Sequence, residues 1–197
     1  MSTTANPDLT PEVLIGAYMA GLFPMADSKN GPISWYSPDP RCILPFDRFH
    51  VSRSLRQKIN RSVFSITVDK SFPAVIASCA DRPDTWISNE IVNAYTLLHK
   101  MGFSHSVEAW SRGVLVGGLY GVAIRGAFFG ESMFTKMTDA SKVCLAFLVR
   151  HLIDRKFSLL DSQLMNDHIR QFGAVEVPRD EYLRILSAAL EKETSFS

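Results

Sequence analysis

The sequence predicts a mixed α/β (α+β) protein, a sheet flanked by helices, in one domain or one domain with a small additional lobe. Three observations carry this reading. Residues 104–110 and 114–124 flank Ser111-Arg112-Gly113 as the two arms of a β-hairpin. Asp139 opens a helical pattern that runs to about residue 156. The apolar run Phe157-Ser158-Leu159-Leu160 then stops at Asp161, as a buried strand does on leaving the core.

The other elements follow in order. Thr10-Pro11 before Val13-Leu14 and Ala17-Tyr18 predicts a capped helix with proline at its first position, closed by Gly21. Five prolines between Phe23 and Phe46 predict a shaped loop, with one extended piece at Cys42-Ile43-Leu44. Residues 52–60 predict a helix, and the alternation of Phe64, Ile66 and Val68 predicts a strand. Helices over 71–80 and 89–101 come next, Gly102 ending the second. Residues 126–129 predict a short strand before the long helix, whose inner side carries Val143, Phe147 and Leu148. Beyond Asp161 lie a short helix to Phe172-Gly173, a strand at 174–177 and a helix over 180–191. This order is compatible with an acetyltransferase-like (GNAT) core, in which the strand after the long helix splays away to open a cleft.

With 197 residues and 46% hydrophobic content, the chain can bury one substantial core. Cys42, Cys79 and Cys144 are widely spaced and the five histidines form no HxxxH or HExxH pattern, so no metal site is expected. No apolar run approaches the roughly 20 residues that cross a bilayer. Met1 to Asp8 lacks the regions of a signal peptide, so a cytoplasmic location is expected. The net charge is only +1, but residues 41–70 hold seven basic side chains against two acidic ones. Arg53, Arg56, Lys58 and Arg61 lie on or beside one predicted helix, which reads either as a surface for a phosphate backbone or as a solvated face.

The groups able to do chemistry sit at strand ends. Asp161-Ser162-Gln163 follows an apolar strand, where open α/β sheets place ligands. Asp161 there serves as a general base, as an anchor for an ammonium, or as the cap of the next helix; Gln163 holds a carbonyl or hydroxyl. Glu131, in Gly130-Glu131-Ser132-Met133-Phe134 beyond another strand, reads as a group that binds a cation or takes a proton, or as a surface loop carboxylate. Trp35-Tyr36 with Arg41 reads as a base-stacking, phosphate-holding loop or as a set of buried anchors, and Trp86 carries the same two readings. Neither GxxxxGK[ST] nor GxGxxG is present, so no nucleotide cofactor is expected.

Several blocks together carry a resemblance: Gly21-Leu22-Phe23-Pro24, Trp35-Tyr36-Ser37-Pro38-Asp39-Pro40-Arg41, Thr85-Trp86-Ile87, His105-Ser106-Val107-Glu108, Leu115-Val116-Gly117-Gly118-Leu119-Tyr120-Gly121-Val122, Gly130-Glu131-Ser132-Met133-Phe134, Ala140-Ser141-Lys142 and Leu160-Asp161-Ser162-Gln163. In this order, over nearly the whole chain, they resemble the bacterial leucyl/phenylalanyl-tRNA–protein transferases. The resemblance implies a small N-terminal lobe, residues 1–38, on an acetyltransferase-like catalytic domain, residues 39–197, and transfer of Leu or Phe, and Met less well, from aminoacyl-tRNA to proteins beginning with Arg or Lys. Those proteins then enter the N-degron pathway through an adaptor and a Clp-type protease. No cofactor is implied, because the ester is already activated.

By matching position, Asp161 and Gln163 correspond to the family's catalytic pair and Glu131 to its acidic site residue. Trp86 corresponds to an aromatic that holds the aminoacyl-adenosine end. Met25 stands where members often carry a tryptophan with the same task. The amino-acid pocket is implied to be lined by Leu119, Phe128, Leu145, Leu148 and Leu160, and tRNA is expected on Arg53, Arg56, Lys58 and Arg61. Two other readings compete: an acyl-CoA-dependent N-acyltransferase, which lacks its pyrophosphate-binding turn here, and a non-catalytic tRNA- or degron-binding module.

Overall fold

The chain opens with a helix that its first residues specify. Thr10 Oγ1 accepts from the Val13 amide at 3.3 Å and Pro11 fills the first turn of α1 (Pro11–Met19). Gly21, at φ +79°, then reverses the chain. The structure, a computed structural model, describes residues 9–29 and 31–197. The reading of Met1 to Asp8 as lacking a signal peptide lies outside the described residues.

Where proline content predicts a loop, the chain forms a hairpin of β1 (Phe23–Ala26) and β2 (Ile33–Tyr36). A two-stranded ribbon consists of edges only, so Pro24, with no N–H to give, is tolerated opposite Trp35. β3 (Arg41–Ile43) follows, then α2 (Arg53–Asn60), capped by Ser52, and β4 (Ser65–Val68). α3 (Phe72–Ala80) and α4 (Asn89–Lys100) lead into the long hairpin of β5 (Ser104–Ser111) and β6 (Val114–Ile124). The second half comprises β7 (Ala127–Thr135), α5 (Ala140–Asp154), β8 (Leu159–Gln163), α6 (Asp167–Arg170), β9 (Val175–Val177) and α7 (Arg179–Leu190).

The main sheet has seven strands in the order β4-β5-β6-β7-β8-β3-β9. One face carries a core from α1, the β1–β2 hairpin, α3, α4 and α7; the other carries a core from α2, α5 and the tail residue Phe196. No helix among the described residues is long and apolar enough to cross a membrane.

Three local expectations are corrected. β7 continues past Phe129 to Thr135, so Gly130 to Phe134 lie within a strand and not in a loop beyond it. β8 runs through Gln163, and Asn166, not Asp161, caps α6 by accepting from the Ile169 amide at 3.0 Å. Asp139 starts α5 without capping it; its carboxylate meets Lys58 at 2.6 Å instead.

The splay expected of the acetyltransferase-like order is present. β7 and β8 run parallel and pair at Ala127↔Leu159, Phe128↔Leu160 and Phe129↔Asp161, and the pairing ends there. On its other side β7 is bulged: Tyr120 pairs Ser132 and Gly121 pairs Gly130, which leaves Glu131 as the extra residue. A bulge bends its strand and re-aims a side chain, here a glutamate at the point where the two strands part. Only glycine fits at 121, because a Cβ there would press on the Phe129 carbonyl and lie 2.5 Å from the Phe128 ring. Gly121→Ala is expected to lower stability by about 1–3 kcal/mol through overpacking, read as a lower denaturant midpoint at unchanged m-value.

Candidate active site

The gap left by the diverging strands is a cavity of about 440 Å³, within the usual range for small-ligand sites. Leu119, Leu145, Leu148 and Leu160 line it from the α5 face, and Trp86, Tyr120 and Phe134 from the opposite face. The cavity therefore crosses the sheet, with an apolar end on one side. Its polar lining includes Glu131, Ser132, Ser141, Ser162, Asn166 and His168, with the guanidinium-bearing Arg82 also at its wall. Burial lowers the pKa of His168, and its Nε2 is buried with no hydrogen-bond partner.

Beneath the cavity lies an ion pair withdrawn from solvent. Arg41 and Asp161 are 1% and 0% exposed. Arg41 Nε and Nη2 donate to the two carboxylate oxygens at 3.0 and 2.7 Å, a bidentate geometry that suits the guanidinium fork. Asp161 also accepts from the Tyr182 hydroxyl at 2.7 Å and from the Gln163 amide at 2.8 Å. Arg41 Nη1 reaches the Gly21 carbonyl at 3.0 Å, and the guanidinium lies against the Phe23 and Tyr182 rings. Burial opposes the arginine's charge, but the hydrogen bonds and charge of Asp161 outweigh it and raise its pKa.

Two expectations change here. Arg41 cannot hold a phosphate, since it is buried on Asp161, and Tyr36 stacks on Phe23 (centroids 6.0 Å apart) in β2. Asp161 accepts four hydrogen bonds and is not among the cavity-lining residues. A carboxylate with its acceptor positions filled has none left for an incoming amine. It fixes Gln163, whose backbone sits in the left-handed region at φ +64°.

From Gln163 the network passes to Glu131, which is 8% exposed. Gln163 Nε2 donates to Glu131 Oε1 at 2.8 Å, and the Tyr18 and Tyr95 hydroxyls lie 2.7 Å from Oε1 and 3.2 Å from Oε2, their two protons being shared between Glu131 and each other. The Tyr18 and Tyr95 hydroxyls also bond each other. Burial pushes the Glu131 carboxyl up to about 7, against the pull of its tyrosine bonds. Of Asp161, Gln163 and Glu131, only Glu131 lines the cavity.

The remaining expected site residues divide. Trp86 lines the cavity. Met25 does not; it is half-buried in β1, whose Ala26 amide meets the Trp86 carbonyl at 3.4 Å. Phe128 is fully buried but does not line the cavity, because its ring is covered by Phe196 (centroids 5.4 Å apart). On α2, Arg53 and Arg56 are exposed, as is Arg61 just beyond it. Lys58 is engaged with Asp139 at the start of α5, the helix that carries Ser141, Leu145 and Leu148 into the cavity. Sequence reasoning missed Tyr18, Tyr95 and Tyr182, whose spacing on their helices reads as ordinary core.

The Arg41–Asp161 pair has a measurable signature. Arg41→Ala leaves a buried carboxylate uncompensated and is expected to cost about 3–5 kcal/mol. Adding Asp161→Asn should recover part of that loss, so a double-mutant cycle with no coupling would contradict the pairing.

The comparisons agree over most of the chain. Residues 43–187 match the family model for leucyl/phenylalanyl-tRNA protein transferase, and residues 7–39 match the model for that family's N-terminal domain. A leucyl/phenylalanyl-tRNA–protein transferase of Rubrobacter xylanophilus is 50% identical over 190 residues, covering 96% of this chain and 99% of its own length. Transferases of the same description from Gloeobacter violaceus and Salinibacter ruber are also 50% identical, covering 95% and 93% of this chain and 97% and 81% of their own. With half of all positions shared from end to end, and with Glu131, Asp161 and Gln163 joined in one network at the splayed strands, this chain belongs to the leucyl/phenylalanyl-tRNA–protein transferase family.

Proposed function

We propose that this protein transfers leucine or phenylalanine, and methionine less well, from aminoacyl-tRNA to the α-amine of proteins beginning with Arg or Lys, marking them for N-degron proteolysis in the cytoplasm. The observation that carries the reading is the cavity itself, with four leucines at one end and a buried carboxylate, Glu131, in its polar lining. Leu119, Leu145, Leu148 and Leu160 suit an aliphatic or aromatic side chain and offer a charged one no partner. Trp86 supports the terminal adenosine by stacking, with Met25 on the adjoining hairpin. Arg53, Arg56 and Arg61 are free to meet the tRNA backbone beside α5, while Lys58 ties α2 to that helix.

The reaction forms one C–N bond and breaks one ester C–O bond, and a single proton passes from the amine to the ribose oxygen. An α-amine with a reference pKa of about 7.7–8.0 arrives largely as ammonium and must lose a proton to attack. Glu131, held near 7, is matched to that task and faces the cavity. Asp161 acts through Gln163, as an orienting group. Holding ester and amine together supplies about 7–11 kcal/mol of the barrier reduction, so no cofactor is needed.

The test uses radiolabelled Leu-tRNA and an Arg-initiated peptide. Wild-type enzyme is expected to form the new peptide bond, with kcat/KM rising as pH passes through about 7 and Glu131 ionises. Glu131→Gln should lower kcat by roughly 10²–10⁴ and flatten that limb. An unchanged pH profile would remove Glu131 from proton transfer.

A further inference from the structure

Among the described residues, two buried side-chain atoms have no hydrogen-bond partner, Tyr120 Oη and His168 Nε2. Both residues line the cavity. Tyr120 is the more telling, being 0% exposed on β6. Its ring packs edge-on against Phe72 and Tyr95, with centroids 5.8 and 5.7 Å away. A phenylalanine would make the same ring contacts without burying an unpaired hydroxyl, which is the less stable arrangement for the empty protein. Tyr18 and Tyr95, the other two tyrosines of this corner, spend their hydroxyls on Glu131; Tyr120 does not.

The surroundings define what would satisfy it. Gln163 and Tyr18 face Oε1 while Tyr95 alone faces Oε2, and an ionised carboxylate offers about four acceptor positions. One position therefore remains on Oε2. Burial and the neighbouring Glu131 charge hold the Tyr120 phenol well above its ordinary pKa, so it stays neutral when Glu131 is ionised. Arg82 also lines the cavity, but it is an exposed residue and its guanidinium is turned to Ser132 Oγ, to which it donates at 2.8 Å. The Tyr120 hydroxyl accepts as well as donates, and beside a charged carboxylate it can take one N–H of a cation whose other N–H groups meet Glu131.

We propose, resting on the transferase reading above, that the Tyr120 hydroxyl binds the acceptor's N-terminal ammonium beside Glu131, accepting one of its N–H hydrogen bonds. The group is a binding element for the second substrate and has no part in holding the aminoacyl end.

Tyr120→Phe separates this role from a structural one. KM for an Arg-initiated peptide is expected to rise about tenfold or more, as for loss of one hydrogen bond to a charged group. Puromycin, an aminoacyl-adenosine mimic, should bind within twofold of wild type, and Tm should equal or exceed the wild-type value. An unchanged peptide KM, a fall in Tm, or an equal loss of puromycin affinity would each overturn the proposal. If the wild-type enzyme itself forms no peptide bond, the transferase reading falls and this proposal falls with it.

Discussion

Two opposite charges with almost no exposure to water, Arg41 and Asp161, meet at the centre of this molecule. Burying such a pair is costly unless every donor and acceptor finds a partner. Here the partners come from distant segments: the Gly21 carbonyl after α1, the Tyr182 hydroxyl on α7 and the Gln163 amide on β8. One interaction thus pins together the first helix, the inserted strand β3, the splayed strand β8 and the last helix. Tyr18 reaches Glu131 because α1 is docked by this bond network, and Gln163 reaches it because its backbone is held beside Asp161.

The bulge in β7 supplies the other half of the site. Parallel pairing with β8 ends after three residue pairs, and the extra residue that starts the divergence is Glu131 itself. The cavity that results crosses the sheet, so an apolar group and a cationic group can approach from different faces and meet between the strands. On the proposed reading, the leucines take the donor's side chain and the buried carboxylate with its tyrosines takes the acceptor.

Much of this was legible in the sequence where the signal is local. The hairpin at β5–β6, the long helix α5 and the buried strand at β8 follow from period-two and helical patterning, and Glu131, Asp161 and Gln163 stand out as polar residues against apolar strands. What could not be read depends on distant partners. Arg41 looks like one more cation in a basic stretch, because its carboxylate lies 120 residues away. Phe128 pairs Leu160 in register and shares its face, yet the tail residue Phe196 covers it, and no periodicity announces a docked tail. Pro24 and Pro32 hid the β1–β2 hairpin, since proline rules apply to central strands and this ribbon has none. The bulge escaped notice because Gly130-Glu131 reads equally well as a strand end.

A crystal structure with a non-hydrolysable leucyl-adenosine analogue tests the central claim most directly. The leucyl side chain is expected to lie among Leu119, Leu145, Leu148 and Leu160, with Glu131 facing the reacting carbon and the Arg41–Asp161 pair intact beneath. An analogue bound elsewhere, or an Asp161 released from Arg41 to touch the ester, would contradict it.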